Sequence, residues 1–107
     1  MRINFILKIK SLENLTQIKP ALEMSKVPLK VKNLPDSLYT LASTSSFIEL
    51  EMEPSAGPDY ACTGTFQASE EVATKTIRTL SLALHADGIE HLVKLTNEMG
   101  KEIASCE

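Results

Sequence analysis

The sequence predicts a two-layer α+β domain, in which an antiparallel sheet of four to six strands carries one long helix on one face. Several stretches alternate apolar and polar residues with the period of two that a half-buried strand requires. One stretch, residues 70–86, repeats its apolar residues every three or four positions, as an amphipathic helix does. A chain of 107 residues has the size of one domain with one core. We therefore expect residues 1–107 to form a single α+β domain.

The first predicted strand covers residues 3–10, where apolar side chains occupy every second position. The segment after it has no single interpretation. It favours a short helix or a turn near residues 12–18, with an extended segment as the alternative. Pro20 is expected to end any helix here, because proline lacks the backbone N–H and clashes with the preceding turn.

Two further strands and their hairpin are predicted in the middle of the chain. Residues 27–33 form a second strand with alternating apolar and lysine side chains. Residues 37–45 are rich in serine and threonine, and they either connect two strands or form a short one. Residues 46–53 and 60–67 form a hairpin, because the loop between them contains two prolines and a glycine.

The long helix over residues 70–86 has signals at both ends. Ser69 is a favourable N-cap, and Glu70 and Glu71 place negative charge at the positive end of the helix dipole. Gly88 lies where a left-handed residue commonly ends a helix.

Two interpretations remain open for the C-terminal segment. Residues 89–96 fit a strand that turns at 97–100 into a last strand over 101–106. The apolar residues of 89–99 also fit helical spacing, so a C-terminal helix is the alternative.

The charges are distributed unevenly along the chain. Residues 1–34 contain seven basic and two acidic side chains, a balance of +5, whereas residues 35–107 contain four basic and twelve acidic ones, a balance of −8. The total of −3 hides this separation. An acidic region can attract a basic partner, but folding can also bring the two regions together as ion pairs.

Charged side chains alternate with apolar ones in three of the predicted strands. The lysines are Lys8, Lys10, Lys30 and Lys32, and the carboxylates are Glu49, Glu51 and Glu53. Alternation places all of them on the solvent side of a sheet, with successive carboxylates about 6–7 Å apart. We expect the opposite charges to pair across strands of one sheet; otherwise the carboxylates remain available to another protein.

No motif in the sequence predicts catalysis, and no cofactor is expected. Cys62 has no histidine placed near it by the sequence and is better explained as a small hydrophobic residue. His85 and His91 lack the second ligand pair of a structural zinc site. Aromatic residues form 5% of the chain and tryptophan is absent, which argues against stacking on nucleic acid. No apolar run approaches a membrane span, and a cytoplasmic location is expected.

The function predicted from these observations is a non-enzymatic protein-binding module with an acidic surface. An acidic α+β chain of about this size without catalytic motifs resembles bacterial immunity proteins, which implies inhibition of a basic toxin. The alternative is a small-molecule-sensing regulatory domain that acts as a homodimer through a sheet edge or through the threonine-rich side of the long helix. The outward side of that helix is predicted to carry Thr74, Thr76, Thr79 and Ser81. The residues predicted to bind a partner are Glu49, Glu51, Glu53, Asp59, Thr76 and Thr79.

Overall fold

The structure is a computed structural model that describes residues 2–10, 15–54 and 58–107. Its helices and strands follow one another along the chain as β1 (Ile3–Ile9), α1 (Lys19–Ser25), β2 (Leu29–Leu34), β3 (Leu38–Ser43), β4 (Ile48–Glu51), β5 (Tyr60–Phe66), α2 (Glu70–Ala86), β6 (His91–Thr96) and β7 (Glu102–Cys106).

Five strands form one antiparallel sheet in the order β4-β5-β1-β6-β7. β1 lies at its centre and pairs with β5 on one side and with β6 on the other. Ile3, Phe5, Leu7 and Ile9 of β1 are buried, and the residues between them are exposed. The sheet therefore has one face in the core and one face in solvent. The predicted α+β class is confirmed, including the long helix on one face.

The long helix α2 has the predicted bounds. Its first turn is capped because the side-chain oxygen of Ser69 accepts the backbone N–H of Val72 at 3.2 Å. Gly88 follows the helix with a φ of 70°, the left-handed conformation expected of it. The helix packs on β6, β7 and α1. Its buried residues are Ala73, Ile77, Leu80, Ser81 and Leu84.

Pro20 begins a helix rather than ending one, which corrects the prediction. It lies in the first turn of α1, where backbone N–H groups have no partner within the helix, so that proline removes no hydrogen bond. A 3-10 turn over Leu15–Ile18 leads into α1. The described part of the segment near 12–18 is therefore helical, and residues 11–14 lie outside the described residues.

β2 and β3 form a hairpin outside the five-stranded sheet. The strand alternative for residues 37–45 is confirmed, whereas the expectation that all lysine strands share one sheet is wrong. Leu29 of β2 and Leu41 of β3 are buried in the common core. Their burial explains the difference, because the hairpin covers the core instead of extending the edge of the large sheet.

The C-terminal segment forms two strands, and the helical alternative for residues 89–99 is wrong. β6 pairs with β1, and its burial alternates as a strand's does. The turn into β7 is fixed by Asn97, whose side-chain oxygen accepts the backbone N–H groups of Met99 and Lys101 at 2.9 and 3.0 Å. Backbone pairing with β1 therefore outweighs the helical spacing of this segment.

Candidate functional site

The solvent face of the five-stranded sheet, named the open face below, points away from α1 and α2. Its residues follow from the strand register, because each alternates with a buried neighbour. They are Glu49 and Glu51 on β4, Thr63 and Thr65 on β5, Asn4, Ile6 and Lys8 on β1, and Leu92, Lys94 and Thr96 on β6. Carboxylates thus occupy one side of the face, Lys8 lies on its central strand and Lys94 on the far side, and Thr63 and Thr65 lie next to the carboxylates.

Glu49 and Glu51 project from β4, the strand at one end of the sheet order. Both side chains are exposed. They lie opposite Thr65 and Thr63 of β5, so the predicted hairpin is confirmed. Alternation along β4 directs both carboxylates to the open face, while Ile48 is buried on the other face.

The lysines form no ion pair with these carboxylates within the described residues, contrary to the predicted pairing across strands. Lys8 lies two strands and two residues away from Glu51, which places their Cα atoms about 12 Å apart. Lys30 and Lys32 belong to the separate β2–β3 hairpin, whose strand β3 contacts β4. Neither Glu49 nor Glu51 forms an ion pair with a lysine or arginine of the described residues.

Lys94 on the far side of the open face already has an acidic partner. Its ammonium nitrogen lies 3.6 Å from Oε1 of Glu102 on β7. Both side chains are about half exposed, so this pair contributes little to stability. The pair does neutralise Lys94, which lies in the same cross-strand row of residues as Glu51.

A shallow depression of about 420 Å³ lies between the carboxylates and the centre of the open face. It is lined by Glu49 and Glu51 on one side and by Arg2 and Ile6 on the other. Ile6 is 39% exposed and supplies an apolar contact at the centre of the face. The depression thus combines two carboxylates with the cationic side chain of Arg2 and with apolar surface, a combination typical of protein interfaces.

The two other predicted acidic residues lie at the loop end of the β4–β5 hairpin. Glu53 follows β4 and Asp59 precedes β5, and both are exposed. Residues 55–57 of the predicted loop lie outside the described residues. Glu53 continues the row of Glu49 and Glu51, whereas Asp59 has contacts of its own within the structure.

The threonines of α2 do not form a uniform outward face. Thr76 and Thr79 are half-buried, and their hydroxyls donate to the backbone oxygens of Val72 and Lys75. Thr76 also lines the interior beside Ile77. These hydroxyls are occupied within the helix and lie on the opposite side of the sheet from Glu49. The structure therefore does not bring all the predicted binding residues together.

Ser81 was expected on the outward side of α2, and it is instead buried against β6. Its hydroxyl lies 2.6 Å from Nε2 of His91, and Nδ1 of His91 lies 2.9 Å from the backbone oxygen of Ile89. A carbonyl oxygen only accepts, so Nδ1 carries the proton and Nε2 accepts the hydroxyl proton of Ser81. Ser81 lies four residues after Ile77 and three before Leu84. This helical spacing was the signal that could have placed it on the buried side.

The hydroxyl of Ser81 is hydrogen-bonded to His91 as a nucleophile is to its base, but a substrate cannot reach it. Only 4% of Ser81 and 5% of His91 is exposed, so a substrate has no approach to the hydroxyl. The ring of His85 packs edge-on against His91 with centroids 4.9 Å apart, and it hydrogen-bonds to the backbone oxygen of Glu107. We interpret the pair as a polar link between α2 and β6.

Replacing Ser81 by alanine is expected to lower the free energy of unfolding by about 1–3 kcal/mol, because buried Nε2 of His91 loses its donor. Chemical denaturation followed by circular dichroism measures the change. Ser105→Ala makes the same chemical change at an exposed position and should stay within about 0.5 kcal/mol of the parent. Equal losses in the two variants would contradict the link.

Cys62 is buried on β5, and burial raises the pKa of its thiol to about 11. The thiol is therefore protonated at neutral pH and is a poor nucleophile.

The described residues contain no group of three or more potential ligands that could hold a metal ion. No helix in the described ranges is long and apolar enough to cross a membrane.

Comparisons with known proteins give no match to this chain among protein-family models, curated proteins or solved structures.

Proposed function

We propose that the chain is a non-enzymatic protein-binding module and that Glu49 and Glu51 on its open face bind a basic partner protein. The observation that carries the proposal is that, within the described residues, neither carboxylate forms an ion pair with Lys8, Lys30 or Lys32. Exposed carboxylates that are not ion-paired with a cation of the described residues keep their attraction for a basic group from outside. Had the lysines neutralised them, the open face would offer a partner little electrostatic attraction.

The geometry of the carboxylates suits a basic side chain that approaches the sheet from solvent. Two carboxylates on one face of a strand stand about 6–7 Å apart, which allows two neighbouring basic groups to bind at once. Arginine is the best match, since its planar guanidinium forms two hydrogen bonds to one carboxylate. Ile6 and the threonine methyl groups supply apolar area beside them.

The class of partner proposed is a basic toxin, in keeping with the likeness to immunity proteins. Nucleases and other enzymes that act on phosphates carry basic grooves, and a row of carboxylates is complementary to such a groove. The alternative function, sensing of a small molecule, has less support. The cavity enclosed between the sheet and α2 measures about 10 Å³, whereas ligand pockets measure about 300–1,000 Å³. The depression of about 420 Å³ on the open face has that volume but is shallow and open to solvent.

The test reverses the two charges together, as Glu49→Lys and Glu51→Lys. The tagged chain is co-expressed with the proteins encoded beside its gene, and the affinity for a co-purified partner is measured by calorimetry. We expect the double variant to bind at least about 100-fold more weakly, because like charges then face each other across the interface. Its melting temperature should change little, since both side chains are exposed.

The matched control reverses two exposed carboxylates away from the open face, Glu23→Lys on α1 and Asp87→Lys after α2. It makes the same change in net charge and should retain most of the affinity. Equal weakening in both double variants would indicate only a long-range charge effect. Full affinity in the Glu49/Glu51 variant would refute the role of β4.

A further inference from the structure

A methionine side chain joins the β2–β3 hairpin to the end of β4. Among the described strands β3 pairs only with β2, and the backbone N–H of Leu41 on β3 donates to Sδ of Met52 at 3.4 Å. The hydroxyl of Thr40, the residue before Leu41, lies 3.5 Å from the backbone oxygen of Met52. We name these two contacts the Met52 junction. The junction thus depends on a residue whose sulfur can be oxidised.

Met52 is placed where oxidation would disturb packing. Its side chain is half-buried and packs against the core, of which Leu41 is a member. A thioether suits this position, because it is apolar enough to be buried and still accepts a hydrogen bond weakly. Half burial leaves part of the side chain in contact with water, so a small oxidant can reach it. Met24 and Met99 are 83% and 93% exposed, and their oxidation would disturb little packing.

We propose that a peroxide oxidises Met52 to its sulfoxide and thereby opens the Met52 junction, so that the attachment of the β2–β3 hairpin responds to redox conditions. With hydrogen peroxide, a lone pair of the sulfur attacks one oxygen, the O–O bond breaks, an S–O bond forms, and water leaves. The sulfur is oxidised and the peroxide is reduced. A methionine sulfoxide reductase supplied with thiols reverses the step. The thiols are oxidised to a disulfide, and the sulfoxide oxygen leaves as water.

Oxidation at either lone pair of the sulfur opens the junction. One lone pair accepts the N–H of Leu41. An oxygen bound there would lie closer to the Leu41 nitrogen than the about 2.7–3.2 Å of an N–H···O hydrogen bond, so β3 has to move away. An oxygen on the other lone pair withdraws electrons from the sulfur, which then no longer accepts the N–H. In both cases a polar group replaces an apolar one at a contact with the core.

The extent of opening is limited by a second attachment of the hairpin. Leu29 and Leu41 are buried in the core, and their burial still holds the hairpin when the junction is open. Oxidation is therefore expected to loosen β3 beside Met52 without unfolding the chain. The inference goes beyond the proposed function, because the junction needs no partner. Where the proposed function also holds, oxidation should weaken partner binding, since Met52 directly follows Glu51.

Hydrogen exchange measured by NMR on the whole chain tests the proposal. The protein is treated with hydrogen peroxide, and the oxidised fraction of each methionine is measured by mass spectrometry of its peptide. We expect the backbone amide of Leu41 to exchange at least about tenfold faster once Met52 is oxidised, because this N–H has lost its acceptor. Exchange in β1 should not change. Methionine sulfoxide reductase should restore the original rate at Leu41.

The matched control is Met52→Leu, which keeps an apolar side chain of similar volume but removes the sulfur. Circular dichroism checks its fold, and peroxide should leave exchange at Leu41 unchanged in it. The complementary variant, Met24→Leu with Met99→Leu, should keep the full response. A Met52 that stays reduced while Met99 is completely oxidised would overturn the proposal. So would an oxidised Met52 with unaltered exchange at Leu41, or an equal response to peroxide in the Met52→Leu variant.

Discussion

Gly64→Ala is expected to destabilise the protein by about 3 kcal/mol, because an added methyl group overpacks the contact between β5 and the core. A Cβ at this position would overlap the backbone oxygen of Glu49 and would lie 2.6 Å from Cε1 of Phe5. The Phe5 ring is itself held against Phe66 with centroids 5.1 Å apart. The ring therefore cannot move away freely, and β4 is expected to shift.

Denaturant titration of the variant measures the loss, and Gly88→Ala serves as the control. A Cβ at Gly88 meets nothing within 4 Å, so only its φ of 70° opposes the substitution. That conformation costs about 1–2 kcal/mol for an L-residue. A loss at Gly64 no larger than the loss at Gly88 would contradict the close packing described here. Because Glu49 lies on the displaced strand, Gly64→Ala should also weaken partner binding without changing a charge.

Leu84→Ala is expected to lower the free energy of unfolding by about 2–5 kcal/mol, the range for a leucine removed from a well-packed core. Leu84 is fully buried where α2 packs on the sheet. The protein surrounds the side chain on all sides, and its loss leaves a cavity that the fixed positions of helix and sheet cannot close.

The control is Leu82→Ala, the same change half a turn away on an exposed side chain. It should alter the free energy of unfolding by less than about 0.5 kcal/mol. Similar losses in the two variants would mean that α2 is not packed as the structure describes.

Most elements could be predicted from local sequence because their signals are local. The bounds of α2 follow from the capping of Ser69, the spacing of its apolar residues and the glycine after it. The strands at Ile3–Ile9 and Tyr60–Phe66 follow from alternation. The role of Pro20 was predicted wrongly because proline disrupts the middle of a helix but favours its first turn. Which of the two effects applies depends on where the helix begins.

The candidate site was predictable in its residues but not in its arrangement. Alternation placed Glu49 and Glu51 on a solvent face, as the structure has them. The order of the strands beyond the β4–β5 hairpin depends on contacts with residues far along the chain, and no local pattern gives it. The Ser81–His91 link belongs to the same class, since it joins a helix and a strand through side chains ten residues apart.

The sequence by itself determined the strands β1, β4 and β5, the bounds of α2, and which side of each of these elements is apolar. Periodicity carries this information because the side chains of a helix or strand return to the same side every few residues. The tertiary structure alone decided that β2 leaves the large sheet, that β5 lies between the strands of Lys8 and Glu51, and that Ser81 is buried against β6. These outcomes come from the burial of the whole core, in which many weak contacts between distant residues add up.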